Sequence, residues 1–176
     1  MKTQTIRLAF LLLFGLNLTT SFAQSAFDRF DGDEKITSVI VTKKMFALLS
    51  KMDTKDKDNQ RYVNLIKKLE NLRVFVTESD KKADEMKAVA DKYIKSSNLE
   101  ELMRITEKGK NIKIMVRSGS SDNQIKELLM FIEGSGKEET VLMSLTGDFD
   151  LNELSLLTDK MNLPGGDTLK KASKRK

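Results

Sequence analysis

The spacing of hydrophobic positions changes along this chain, and each change marks an element. Residues 36–42 (ITSVIVT) are β-branched with apolar side chains at 36, 39, 40 and 41, which predicts a strand. Met45, Phe46, Leu48, Leu49 and Met52 then recur at spacings of three and four, the stripe of a helix over 43–52. A charged stretch, 53–59, separates this from a second short helix carrying Tyr62, Ile66 and Leu69. Residues 72–77 (LRVFVT) read as a strand, and Ser79 or Asp80 is placed to cap the helix that follows. That helix collects Ala83, Met86, Ala90, Tyr93 and Ile94 on one face and leaves Lys82, Asp84, Lys87, Asp91 and Lys95 to solvent.

In the second half the period shortens to two. Met103 and Ile105 alternate with Arg104 and Thr106, so 99–107 is read as a strand although Glu100 and Glu101 would also suit a helix start. Ile112, Ile114 and Val116 alternate with Lys113, Met115 and Arg117, which turns Met115 to the opposite face. A polar loop, 118–123, leads into QIKELLMFIE at 124–133. The spacing of Ile125, Leu128, Leu129 and Ile132 fits a helix, but the run is short and lies between turn clusters, with Gly134-Ser135-Gly136 behind it. A strand that turns back into residues 141–146 is the better reading. Gly147 is expected to end that strand. Asp150 is expected to cap a helix over 151–161, with Glu153 in the position of a capping box and Leu151, Leu154, Leu157 and Met161 (or Leu156) on the buried face.

The element order implies an α+β fold: a mainly antiparallel sheet, made of a four-strand C-terminal meander plus the N-terminal strands, with helices packed on one face. A single domain over 36–163 is expected. It is preceded by an irregular lead-in, 24–35, whose Phe27 and Phe30 dock on the core, and followed by a basic, disordered tail, 164–176.

The first residues change the picture of location. Lys2 and Arg7 precede the apolar run 8–18, and Ser21-Phe22-Ala23 supplies small residues for cleavage, so 1–23 reads as a secretory signal peptide. The chain has no cysteine, which removes disulfides, thiol chemistry and the lipidated residue of a membrane tether. No later segment is apolar enough to span a bilayer. A soluble protein of the periplasm or the exterior of a Gram-negative cell is therefore expected. The net charge of +5 comes from the two ends, where Lys2 and Arg7 and Lys170, Lys171, Lys174, Arg175 and Lys176 outweigh the rest of the chain. The stretch between them is slightly acidic, so nucleic acid is not an expected partner.

The wording of residues 112–116, 125–130 and 141–151 (VLMSLTGDFDL) resembles a family of small exported bacterial proteins, the domain-of-unknown-function family numbered 4252. The signal peptide, strand 36–42 and the Met45-Phe46 helix are similar too. The resemblance implies the strand at 124–133 and export. It carries over no activity and no site residues.

Candidate chemistry is sparse. The chain has no histidine, so a Ser-His-Asp triad and His-ligated metals are excluded along with cysteine chemistry. Asp148 and Asp150 are the sharpest carboxylate pair, able in principle to hold a hard cation such as Ca²⁺; the structural reading is a shaped turn and a helix cap. Asp53, Asp56 and Asp58 fail the calcium-loop pattern, since Arg61 stands where glycine and Lys67 where the bidentate glutamate belongs. Asp31 to Glu34 reads as a turn. Ser118 to Ser121 lacks the pattern of a phosphate loop. Met45, Met52, Met86 and Met161 lie on apolar helix faces and read as core. No cofactor is expected. The leading function is a non-catalytic envelope domain that binds an envelope protein or component through a sheet face or edge. A carboxylate- or cation-dependent enzyme at Asp148 and Asp150 and a membrane-surface protein led by the basic tail are the alternatives.

Overall fold

The computed structural model describes residues 26–51, 57–107, 109–121, 123–134, 138–154 and 156–157. The expected signal peptide, Met52, residues 53–56 of the charged stretch 53–59, residues 158–161 of the expected last helix and the tail at 164–176 lie outside them. Six strands form one antiparallel sheet: β1 (Thr37–Thr42), β2 (Leu69–Thr77), β3 (Glu100–Glu107), β4 (Lys110–Ser118), β5 (Gln124–Glu133) and β6 (Thr140–Asp150). Their order across the sheet is β1-β2-β6-β5-β4-β3. The C-terminal meander β3 to β6 is continuous, and β6 docks against β2 to bring the N-terminal hairpin alongside. Helices α1 (Lys43–Leu49), α2 (Lys57–Ile66) and α3 (Asp80–Ser96) fill the connections.

The α+β class and the antiparallel sheet are as expected. The helices are not confined to one face. Phe46 of α1, Leu65 and Ile66 of α2, and Leu154 and Leu157 join Val74, Ile114, Leu128 and Met143 in one layer. On the other side, Met86, Ala90 and Tyr93 of α3 join Phe75, Met115, Leu129, Phe131 and Leu142. Alternation along each strand feeds both layers, which is why Met115 parts from Ile114 and Val116. Phe27 and Phe30 do dock, closing the second layer by edge-on ring contacts with Tyr93 and Phe75. Because β5 and β6 are central and covered on both sides, every side chain from Leu128 to Ile132 is buried. A strand buried on both faces reads as an unbroken apolar run, and such a run has no period of its own.

Local details differ from the expectation. Leu69 opens β2 rather than closing α2. Ser79 stands at the N-cap of α3 without a side-chain cap; instead the Thr77 hydroxyl accepts the Ser79 N–H. Met45, expected in the core, is half exposed, because Phe46 and Leu49 take the inward face of a helix only two turns long. Met86 is fully buried as expected.

Candidate functional site

The carboxylates singled out in the sequence lie on β6, which does not end at Gly147. The strand runs on to Asp150, and the pairing with both neighbours is irregular there: Gly147 faces Leu69, and the register with β5 slips between Ile125 and Glu127. The glycine is required by close approach. A Cβ at position 147 would stand 2.5 Å from the Lys68 carbonyl oxygen and 2.9 Å from the Leu69 Cα. That same carbonyl accepts the Asp148 N–H at 2.9 Å.

Asp148 is exposed, and its carboxylate is taken up by Lys126 Nζ at 2.6 Å and by the Gln124 side-chain amide. The Lys126 ammonium holds its carboxyl below the ordinary value of 3.8, with the Gln124 bond assisting. Asp150 accepts the Asn152 backbone N–H at 2.7 Å, an N-cap on a short 3₁₀ turn, Leu151–Glu153. Glu153 does not return to close a capping box; it pairs with Lys68 at 2.9 Å. The two aspartates thus answer to different partners. Among the described residues no group of three or more acidic side chains, histidines or cysteines is gathered to hold a metal.

The register slip has a second effect. It places Glu127 in the α3 layer while Ile125, two residues earlier, points into the other. Glu127 is fully buried. Tyr93 donates its hydroxyl to one oxygen at 2.7 Å, and Arg117, directly across from it on β4, reaches the other at 2.6 Å. Burial raises the Glu127 carboxyl above its ordinary 4.5, against the two hydrogen bonds. Burial also pushes the Tyr93 phenol well above its usual range, with the Glu127 charge adding to it. Among the described residues this is the one carboxylate in the interior, and the sequence reading misses it. A signal is available: once 124–133 is taken as the return strand of a hairpin, Arg117 falls opposite Glu127 as a cross-strand ion pair. Both oxygens of that carboxylate are occupied, which suits a structural anchor more than an acid awaiting substrate.

A third polar cluster lines a shallow depression of about 320 Å³ formed by Asp33, Glu34, Lys35, Ser79, Lys81 and Lys82. Lys82 Nζ bridges Asp33 at 2.8 Å and Glu85 at 3.0 Å. The Lys82 bond holds the Asp33 carboxyl below its ordinary value. Two acids face three lysines around the depression, and Asp33 and Lys82 are already paired, so its charges are largely engaged with one another.

The two edges of the sheet differ sharply. β3 carries Glu100, Glu101 and Arg104 and has a register break between Glu101 and Met103. Charges and a bulge are the devices by which edge strands avoid pairing with other chains. β1 has neither. It pairs with β2 in unbroken register from Thr37 opposite Val76 to Thr42 opposite Asn71. It contains no charged residue, proline or glycine. Its Val39 is 50% exposed, and on α1, the next element, Met45 and Leu48 are exposed at 50% and 54%. An antiparallel edge strand turns half of its backbone N–H and C=O groups outward, so here the unsatisfied hydrogen-bonding capacity is in the backbone.

A family model described as a domain of unknown function (DUF4252) matches residues 30–157, from Phe30 within the docked lead-in to the last described residue. No curated protein and no solved structure matches the chain.

Proposed function

This chain belongs to the domain-of-unknown-function family DUF4252, and on that premise we propose that it is an exported, non-catalytic binding domain whose working surface is the free edge of β1. The observation that carries this reading is the contrast between an uncharged, register-perfect edge with Val39 half exposed and an opposite edge broken by a bulge and charges. An extended segment of an envelope protein added to β1 would satisfy its outward backbone groups, and Val39 would supply side-chain selectivity. Export is supported by Lys2, Arg7, the apolar run 8–18 and the Ser21-Phe22-Ala23 site. Among the described residues no helix is long and apolar enough to cross a membrane.

The enzyme reading at Asp148 and Asp150 draws less support, since a lysine and a backbone amide already occupy those carboxylates. The tail that would lead a membrane-surface reading lies outside the described residues.

The test is a photo-crosslinking residue placed at Val39 and, separately, at Leu102 on the guarded edge. Fractionated cells expressing the full chain should yield an adduct from position 39, mapped to a strand-length segment, and little from 102. Equal capture at both positions would remove the reading. Retention in the cytoplasm with residues 1–23 intact would remove the export part of it.

A further inference from the structure

We propose that the strand added at this edge is β1 of a second copy, so that two sheets join edge to edge about a twofold axis through Ile40. This rests on the strand-addition reading above and names its partner. A twofold axis perpendicular to a sheet pairs edge strands antiparallel and keeps each face on its own side. Only residues of the same face can then stand opposite one another, which limits the register to axes passing through a residue.

With the axis at Ile40, Val39 faces Val41 of the second copy and Ser38 faces its Thr42. Aliphatic thus meets aliphatic on one face, and hydroxyl meets hydroxyl on the other. Val39 and Val41 belong to the face built on Val74 and Leu72, their partners in β2. With the axis one residue earlier, Thr37 would face Val41 and Ser38 would face Ile40, mixing the two chemistries. Matched cross-strand pairs are the stabilising ones, so the register at Ile40 is selected.

Charge agrees with this arrangement. The approach to β1 carries exposed Asp31, which accepts the Ser38 hydroxyl at 2.9 Å, exposed Glu34 and exposed Lys35, so its balance is acidic. The exit from β1 carries exposed Lys43, which already lies 3.5 Å from Glu70, and exposed Lys44. Antiparallel self-pairing lays the acidic approach of each copy beside the basic exit of the other. Parallel pairing would put like charge beside like. The interface is one six-residue strand per copy, which is small, so the dimer is expected to be reversible and concentration dependent.

The chain contains no cysteine, so a single introduced thiol reports one contact cleanly. Directly opposed residues of an antiparallel pair lie about 4.5–5.5 Å apart at Cα, within disulfide reach, whereas residues two positions off lie at roughly 7–8 Å. Mild oxidation of the purified protein should therefore cross-link Ile40→Cys with itself, and a mixture of Val39→Cys with Val41→Cys, but not Val39→Cys alone. Sedimentation velocity should show a dimer that Val39→Lys weakens by about tenfold or more, with Leu102→Lys unchanged. Circular dichroism melts of each variant confirm that the fold is kept. A monomer at all concentrations, with no disulfide from Ile40→Cys or from the mixture of Val39→Cys and Val41→Cys, would overturn self-pairing. So would cross-linking from Leu102→Cys as strong as that from Ile40→Cys. If the protein stays monomeric while a crosslinker at Val39 captures an envelope segment, self-pairing fails and strand addition stands.

Discussion

The buried carboxylate at Glu127 and the bare edge at β1 are the two ends of one scale. Glu127 has the chemistry usually sought in an active site: a buried acid with a tyrosine and an arginine in contact. Yet each of its oxygens is already engaged. β1 has only aliphatic and hydroxyl side chains, but a row of outward backbone groups and a half-exposed valine. What distinguishes them is whether hydrogen-bonding groups are already satisfied. Glu127 is engaged in holding the sheet, while the open backbone groups of β1 lie where the residues are chemically plain. Mutations should therefore separate the two regions, with stability lost at one and association at the other.

The largest effect is expected at Arg117. Arg117→Met leaves the buried Glu127 carboxylate without its charged partner, and breaking such a pair costs about 3 kcal/mol, toward the low end because Arg117 itself is 42% exposed. Urea denaturation should show this as a lower midpoint at unchanged slope. Adding Glu127→Leu should restore most of the loss, because an apolar replacement of both partners removes the stranded charge. If the single variant is as stable as the parent, Glu127 is not held in the way its contacts imply, and its place as a structural anchor is lost.

Gly147→Ala comes next. Its Cβ would meet the Lys68 carbonyl and the Leu69 Cα, both backbone atoms with little freedom to yield. Overpacking of this kind costs about 2 kcal/mol, read by the same denaturation curve. This glycine also marks where the sequence stops being legible. The α+β class, the antiparallel meander and the docking of Phe27 and Phe30 follow from period and β-branching, because burial on one or two faces writes itself into spacing. Gly147 reads as a strand end, since a glycine in an apolar run signals a break as readily as a bulge. The register slip beside it leaves Glu127 inward and turns Ile125 to the other face. A pattern of strict alternation does not survive such a slip, so Lys126-Glu127 looks like an ordinary solvated pair. The placement of helices on both faces is hidden for a related reason. Each helix shows an apolar stripe, and nothing in a stripe says which side of a sheet it meets.

The pH dependence should separate buried from exposed carboxylates by sign. Burial raises the Glu127 carboxyl above 4.5, so the native state holds this proton more tightly than the unfolded chain does. Its contribution to stability is full below the unfolded value and declines as pH rises through the raised one. Asp33 and Asp148 are shifted the other way by Lys82 and Lys126, so their contributions are present above the ordinary 3.8 and are lost on acidification. Glu127→Gln should remove the decline on the alkaline side and leave the acid limb intact. Denaturation midpoints of parent and variant across this range would check it; parallel curves would show that Glu127 titrates alike in both states.

The smallest effect on stability, and the one that sharpens the comparison most, is expected at Val39→Lys. Val39 is half exposed and its face of β1 is only partly covered, so a lysine can keep its stem along the sheet and its ammonium in water. A surface change of this kind should stay within about 0.5 kcal/mol of the parent. The same lysine is the residue that guards natural edge strands, because pairing would desolvate its charge. Association at β1 should therefore fall while the denaturation curve stays in place, the reverse of what Arg117→Met does. Should Val39→Lys destabilise the fold by as much as Arg117→Met, then β1 is part of the scaffold in the same sense as Glu127. Its exposed valine would be a packing residue, and the edge would lose its claim to be the working surface.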